Sequence, residues 1–197
     1  MPENNIDKLQ NWVGRSETVE DVISLAMIEN MNATLGRASN ELKVGDPLPP
    51  SWQWLFFNRG VAPDSLGRDG HVAKSDFAPP MPLPRRMWAG NKVDVTKSLT
   101  IGQPAKRLTV IEEITEKNGR SGQLVFLRER SEITDENGGS LIDRRTIVFR
   151  AEAVQSEAPK MGPAPTGAAW QQKVEPDPVL LFRYSALTFN SHRIHYD

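Results

Sequence analysis

The chain has 197 residues, of which 38% are hydrophobic and 25% are charged, and its formal net charge at pH 7 is −1. This length suits one domain of ordinary size or one domain with a further piece, and the near-neutral charge argues against nucleic acid or an anionic membrane surface as a partner. Cysteine is absent from the sequence, which excludes disulfides, thiolate metal ligands and thiol nucleophiles.

The first periodic segment has the spacing of a helix. Its apolar residues are Val19, Val22, Ile23, Ala26 and Met27. Thr18 and Asp21 are placed like a capping box, and Gly36 is placed to end the helix. The pattern predicts a helix of about four turns with one buried face.

The next segment, from Pro47 to Gly90, is rich in proline, tryptophan and glycine. Such a composition prevents long regular elements. We therefore expect a long ordered loop, held by Trp52, Trp54 and Trp88. A loop of this length in a compact domain usually lines or covers a site.

The pattern then changes to strands. Four are predicted: Lys92–Ile101, Lys106–Thr115, Gln123–Ile133 and Ser140–Arg150. Asn118-Gly119 and Asn137-Gly138-Gly139 separate β-rich runs, which is a strong local signal for hairpins. One helix followed by an antiparallel meander indicates the α+β class.

The amino-acid composition changes again after the predicted strands. Residues from Ala151 to Pro178 are rich in proline, alanine and glutamine and are interpreted as a linker. A strand is predicted at Val179–Thr188 and a helix at Ser191–Asp197.

Two of the three histidines and an amide lie in the final fourteen residues, which are Tyr184-Ser-Ala-Leu-Thr-Phe-Asn-Ser-His-Arg-Ile-His-Tyr-Asp197. Asn190 and His195 are five positions apart, and in a regular helix they would be rotated by about 140° from each other. They can meet at one substrate only if the segment starts extended and becomes helical partway along.

This segment resembles the motif of MaoC-like acyl-CoA hydratases. Thr188, His195 and Asp197 match motif positions, whereas Asn190 stands where the motif has its catalytic aspartate. The form found here is similar to the double hot dog branch that includes mesaconyl-CoA (3-methylfumaryl-CoA) hydratase, itaconyl-CoA hydratase and mitochondrial 3-hydroxyacyl-thioester dehydratase type 2. The blocks at 48–57 and 79–90 resemble the N-terminal half of the same branch.

The resemblance implies a hot dog fold, in which an antiparallel sheet wraps a central helix. It implies a first unit at residues 1–150, a linker at 151–178 and the start of a second, truncated unit at 179–197. We expect a homo-oligomer, or a partner that supplies the rest of the second unit.

The resemblance also implies the chemistry, which is reversible addition of water to an enoyl-CoA thioester of a short branched dicarboxylic acid. His195 would be the acid–base group and Asn190 would orient water. Two alternatives stay open: a dehydratase of fatty acid synthesis, and a noncatalytic module that binds acyl-CoA or pairs subunits.

Several residues have more than one interpretation. Asn190 suits a helix N-cap as well as a catalytic role. His192 is interpreted as structural, Asp197 as orienting or salt-bridging, and His71 as a solvated loop residue. Arg85 and Arg86 follow a run of prolines and are candidates to bind CoA phosphates or an acyl carboxylate, with a structural salt bridge as the alternative.

The histidines lack the paired spacing of zinc sites, so we expect no metal and no cofactor apart from the coenzyme A of the substrate. No basic start or apolar run marks a secretory signal, and no segment approaches the roughly 20 apolar residues of a membrane span. A cytoplasmic location is therefore predicted.

Overall fold

A computed structural model describes residues 5–37, 41–72, 76–119, 122–151, 162–163 and 166–195. Its centre is a five-stranded antiparallel sheet in the order β1-β3-β4-β5-β2. The strands are β1 Ser16–Val22, β2 Arg85–Lys97, β3 Pro104–Gly119, β4 Gly122–Asp135 and β5 Ser140–Arg150. The α-helices are α1 Asn5–Gln10, α2 Leu25–Thr34 and α3 Pro178–Leu187. The predicted α+β class is confirmed.

All four predicted strands are present. The bounds of β5 are as predicted, β3 and β4 extend a few residues beyond their predictions, and β2 begins and ends earlier than predicted. The turn between β4 and β5 is built as its sequence suggests. Gly138 has a φ of +78°, and a Cβ on Gly139 would lie 2.8 Å from the Ser98 carbonyl oxygen. Between β3 and β4 the pairing reaches Gly119 opposite Gly122, so the predicted Asn118-Gly119 turn belongs to the end of β3.

The predicted first helix is wrong in position. Its N-terminal half is strand β1, which pairs with β3, and the helix begins only after Ser24, whose side chain accepts a hydrogen bond from the Met27 N–H. Asp21 does not cap a helix, because its carboxylate accepts the Phe57 N–H at 2.7 Å. Gly36 follows the end of α2 with a φ of +67°, as expected.

One face of the sheet, which we call the inner face, carries two clusters of buried apolar side chains. The first apolar cluster consists of Val19, Ile23, Ile28, Met31, Leu48, Leu55, Phe56, Phe57, Leu99, Ile101, Ala105, Ile133 and Leu141. The second apolar cluster consists of Leu9, Ile111, Ile114, Val125, Leu127 and Ile147. Helix α2 packs on the first cluster through Ile28 and Met31. The burial of these side chains is the main favourable contribution to folding.

The long loop before β2 is held by tryptophan, as predicted, although it ends earlier than expected because β2 begins at Arg85. The Trp54 ring meets the Trp88 ring edge to face at 5.9 Å, and Trp54 Nε1 donates to Asp143 Oδ2 at 2.8 Å. Trp52 packs against the first apolar cluster.

The strand predicted at 179–188 is wrong, because α3 occupies this segment. Asp177 caps it by accepting from the Leu180 N–H, and Pro178 occupies the first turn. Helix α3 contacts α2, yet none of its residues is buried. Much of the predicted linker lies outside the described residues, so the division into units remains a prediction. Among the described residues, no helix is long and apolar enough to cross a bilayer.

Candidate active site

Asn190 and His195 come together after α3. The Asn190 Nδ2 atom lies 3.2 Å from His195 Nε2. The helix ends at Leu187, Phe189 adopts a left-handed φ of +49°, and a 3₁₀ turn covers Arg193–His195. The two groups therefore meet because the chain reverses after a helix, and not because a strand leads into one. Tyr196 and Asp197 lie outside the described residues.

The orientation of the Asn190 amide follows from its other contact. Its Oδ1 atom accepts the His192 backbone N–H at 3.1 Å, so its Nδ2 atom must face His195. An amide N–H directed at Nε2 requires a lone pair there, which places the proton of neutral His195 on Nδ1. His195 Nε2 is thus presented as a base. Asn190 makes both a local turn contact and a contact with the candidate base, and its catalytic role stays a prediction.

The glycine-rich loop at 66–72 packs against this motif. The Arg193 N–H donates to the Asp69 carbonyl at 2.8 Å, and the Ser191 hydroxyl donates to the Gly70 carbonyl. Two hydrogen bonds therefore attach a loop to a motif that lies about 120 residues further along the chain.

This loop brings His71 into the site. Its Nδ1 atom lies 3.1 Å from Asp69 Oδ2, and its ring lies 4.3 Å from the His192 ring, which in turn is 6.1 Å from the His195 ring. All three histidines of the chain are therefore neighbours. The prediction that His71 is a solvated loop residue is wrong, since its side chain is only 29% exposed.

Burial lowers the pKa of His71 below its usual value, and the charges of Arg86 and His192 act in the same direction, against the opposing effect of Asp69. Burial acts to raise the pKa of Asp69, but hydrogen bonds and charge interactions with His71 outweigh it and the pKa is lowered. At neutral pH the arrangement is therefore a carboxylate beside a neutral imidazole.

Asp69, His71 and His192 also form a possible metal cluster, with ligand atoms all within 4.8 Å of one another. Zn²⁺ bonds of about 2.0–2.1 Å in a tetrahedron bring ligand atoms to roughly 3.4 Å, so the group would have to contract. The nearby Arg86 charge opposes a second cation here. The absence of a metal remains a prediction.

The two adjacent arginines point to opposite faces of β2. Arg86 pairs with Phe149 of β5, which packs on the second apolar cluster, so Arg86 lies on the inner face. Its charge acts on His71, and the charge of Asp69 in turn acts on Arg86. Arg85 pairs with Arg150 on the other face. Of the two candidates, only Arg86 is placed toward the histidine cluster.

The match to a known family covers most of the chain. A family model described as hydroxyacyl-thioester dehydratase type 2 matches residues 51–197. The chain is 43% identical over 187 residues to the mesaconyl-C(4)-CoA hydratase of Chloroflexus aurantiacus, covering 94% of this chain and 67% of that protein. It is 24% identical over 209 residues to the mitochondrial hydroxyacyl-thioester dehydratase type 2 of Schizosaccharomyces pombe, covering 91% and 69%.

The fold is similar to solved structures as well. The crystal structure of a MaoC-like dehydratase from Phytophthora capsici aligns with a TM-score of 0.53 at 16% identity, covering 94% of this chain and 64% of that one. The hot dog fold is thereby confirmed. The chain spans about two thirds of the length of its relatives.

Proposed function

The chain belongs to the hydroxyacyl-thioester dehydratase type 2 family of MaoC-like hydratases and dehydratases, and on this premise we propose that it hydrates an enoyl-CoA thioester reversibly. The observation that carries the proposal is the contact between Asn190 Nδ2 and His195 Nε2 at 3.2 Å. A water bound to both groups would replace this direct contact and would face a base on one side and an orienting amide on the other.

In the proposed reaction, the water oxygen bonds to the β-carbon while the water proton passes to His195 Nε2. The electron pair of the double bond moves toward the thioester oxygen, which carries enolate charge. The imidazolium then returns its proton to the α-carbon, so atoms and charge balance. Asn190 does not ionise, and therefore His195 carries the proton transfer.

We propose a short branched dicarboxylic acyl-CoA, such as mesaconyl-C(4)-CoA, as the substrate. Two observations support it: the 43% identity to a mesaconyl-C(4)-CoA hydratase and the position of Arg86 beside the histidine cluster. A guanidinium can pair with the free carboxylate of such an acyl group. The weaker similarity to a hydroxyacyl-thioester dehydratase keeps a fatty-acyl substrate as the second candidate.

We also propose that residues 1–150 form the first hot dog unit, 151–178 the linker and 179–197 part of a second unit, and that the protein forms a homo-oligomer or binds a partner chain. Helix α3 supports this, because it leaves large apolar side chains exposed. These are Val179, Leu181, Phe182 and Tyr184. Light scattering after size-exclusion chromatography tests it, and a strictly monomeric, fully active chain would contradict it.

The experiment that tests the function follows enoyl absorbance after the purified protein is mixed with mesaconyl-C(4)-CoA or with crotonyl-CoA. Hydration predicts a loss of absorbance, faster with mesaconyl-C(4)-CoA. The noncatalytic alternative predicts that the thioester binds, as calorimetry would show, while its absorbance stays constant.

A further inference from the structure

The glycine-rich loop at 66–72 keeps its shape through its own hydrogen bonds. The Gly67 N–H donates to the His71 carbonyl at 2.6 Å, and the Gly70 N–H donates to the Gly67 carbonyl at 2.9 Å. An antiparallel bridge joins the first and last residues of the loop. Because these backbone groups pair with each other, the loop offers a fixed support to the residues that it contacts.

Within this loop, Asp69 fixes the ring of His71. The Asp69 carboxylate accepts from His71 twice, through Oδ1 from the backbone N–H at 3.1 Å and through Oδ2 from the Nδ1 atom at 3.1 Å. A carboxylate only accepts hydrogen bonds, so the Nδ1 atom of His71 carries a proton. The ring cannot turn away without losing this bond, and Asp69 therefore sets the direction in which the ring faces.

Two hydrogen bonds attach the loop to the C-terminal motif. The Ser191 hydroxyl donates to the Gly70 carbonyl, and the Arg193 backbone N–H donates to the Asp69 carbonyl at 2.8 Å. Both donors belong to residues that lie between the two members of the candidate acid–base pair. The loop thus holds the segment that joins the pair.

His192 connects the loop to the pair itself. Its ring lies 4.3 Å from the His71 ring, with 32° between the two planes. Its backbone N–H donates to Asn190 Oδ1 at 3.1 Å, and this bond leaves Asn190 Nδ2 facing His195 Nε2 at 3.2 Å. A displacement of His192 would therefore displace the amide from the imidazole.

The motif has little support of its own. Leu187, at the end of α3, packs against the first apolar cluster, but residues 188–193 and 195 are all at least partly exposed. The 3₁₀ turn has only three residues, and such short turns have poor hydrogen-bond geometry. Fixing each of these residues costs conformational entropy, which the contacts with the loop offset.

We propose that Asp69, His71 and Ser191 are positioning residues, through which the glycine-rich loop keeps the Asn190 amide directed at the Nε2 atom of His195. The loop thereby keeps the proton of neutral His195 on Nδ1 and leaves Nε2 available as the base. The consequence for catalysis rests on the proposed function, whereas the consequence for the tautomer of His195 does not.

Nitrogen-15 NMR of histidine-labelled protein tests the positioning without substrate. The chain has three histidines, and the signals of His195 are those lost in His195→Gln. At about pH 8.5, well above the ordinary imidazole pKa of about 6.5, the unchanged protein should show a protonated Nδ1 on His195. Ser191→Ala and His71→Ala should each shift His195 toward the tautomer mixture of a free imidazole.

Ser65→Ala is the matched control. It also removes a serine hydroxyl donor from the region before β2, but that hydroxyl donates to the neighbouring Asp64 carboxylate at 3.4 Å. The tautomer of His195 should stay unchanged in this variant. If His71→Ala fails to fold, Ser191→Ala still tests the proposal, because Ser191 is exposed.

Steady-state hydration kinetics of mesaconyl-C(4)-CoA test the effect on the reaction. In Ser191→Ala and in His71→Ala, kcat should fall about tenfold, since small displacements of reacting groups are costly, and KM should stay within twofold. A raised KM with an unchanged kcat would assign the loop to substrate binding and overturn the proposal. An unchanged His195 tautomer in both variants, or an equal shift in Ser65→Ala, would overturn it as well.

The two failures are distinguishable. A tautomer shift in the variants, together with no hydration by the unchanged protein, would refute the hydratase activity and leave the positioning role standing. Hydration by the unchanged protein, with the tautomer of His195 and kcat the same in the variants, would refute the positioning role alone.

Discussion

The C-terminal motif and the inner face of the sheet hold their polar groups in opposite settings. Asn190 and His195 lie on a short, partly exposed turn and contact each other directly. Arg86, Arg107 and Arg145 lie on the inner face of three long strands, among apolar side chains. The comparison teaches that a few consecutive residues can bring an amide and an imidazole together, whereas the position of each arginine depends on the register of the sheet. Under the proposed function, the motif would carry the proton transfer and Arg86 of the sheet would select the substrate.

The largest expected effect comes from removing the proton-transfer group. His195→Gln preserves hydrogen bonding but cannot cycle a proton near pH 7, so kcat for hydration should fall about a hundredfold or more. Steady-state kinetics on enoyl absorbance measures it, with circular dichroism as the folding control. A fall of less than threefold would remove His195 from the mechanism.

The next prediction concerns the hydrogen bond by which Trp54 of the long loop contacts the sheet. Trp54→Phe keeps the aromatic ring and removes the Nε1 donor to Asp143, which is 5% exposed. The free energy of unfolding in urea should fall by about 1–3 kcal/mol. Trp170→Phe is the matched control, since Trp170 is 76% exposed and should change stability little. Equal effects of the two substitutions would contradict the role of the Trp54 contact.

The substitution Asn190→Asp tests whether Asn190 acts on His195 or only makes a local turn contact. A carboxylate can still accept the His192 N–H but adds a negative charge beside His195, which favours a protonated imidazole. The acidic limb of the pH–rate profile should therefore move to higher pH. An unchanged profile would reduce Asn190 to a local turn residue.

The smallest effect concerns the pH dependence of stability at His71. Its pKa is lowered in the folded state, so below the ordinary value of about 6.5 the unfolded chain binds more protons than the folded chain. Stability should consequently fall as the pH drops through this range. His71→Gln should make the fall between pH 7.5 and 5.5 shallower. Identical pH dependence in the two proteins would show that burial of His71 is not linked to folding.

The sheet could be predicted from sequence because β-rich runs and glycine turns are local signals, as at Gly138. The first helix was predicted too early in the chain. Val19 and Ile23 fit a helical period, although Val19 lies in β1 and Ile23 just after it. At residues 179–188, the alternation of side-chain types favoured a strand. The helix signal was the pair Asp177-Pro178, an N-cap residue followed by a proline in the first turn.

Within the candidate site, sequence reasoning proposed Asn190 and His195 from the motif, which the structure brings into contact, and it placed Arg86 among the candidates. It missed His71 because only tertiary packing brings the 66–72 loop to His192. Local patterns specify groups a few residues apart, and long-range pairing specifies the rest.

The central claim is that the motif carries the chemistry and that Arg86 of the sheet selects the substrate. It is tested most directly by the ratio of kcat/KM for mesaconyl-C(4)-CoA to that for crotonyl-CoA. Arg86→Met should lower this ratio about tenfold, equivalent to about 1.4 kcal/mol of differential binding, while Arg85→Met leaves it unchanged. His195→Gln should lower both efficiencies and keep the ratio. An unchanged ratio in Arg86→Met, or a changed ratio in His195→Gln, would contradict the account.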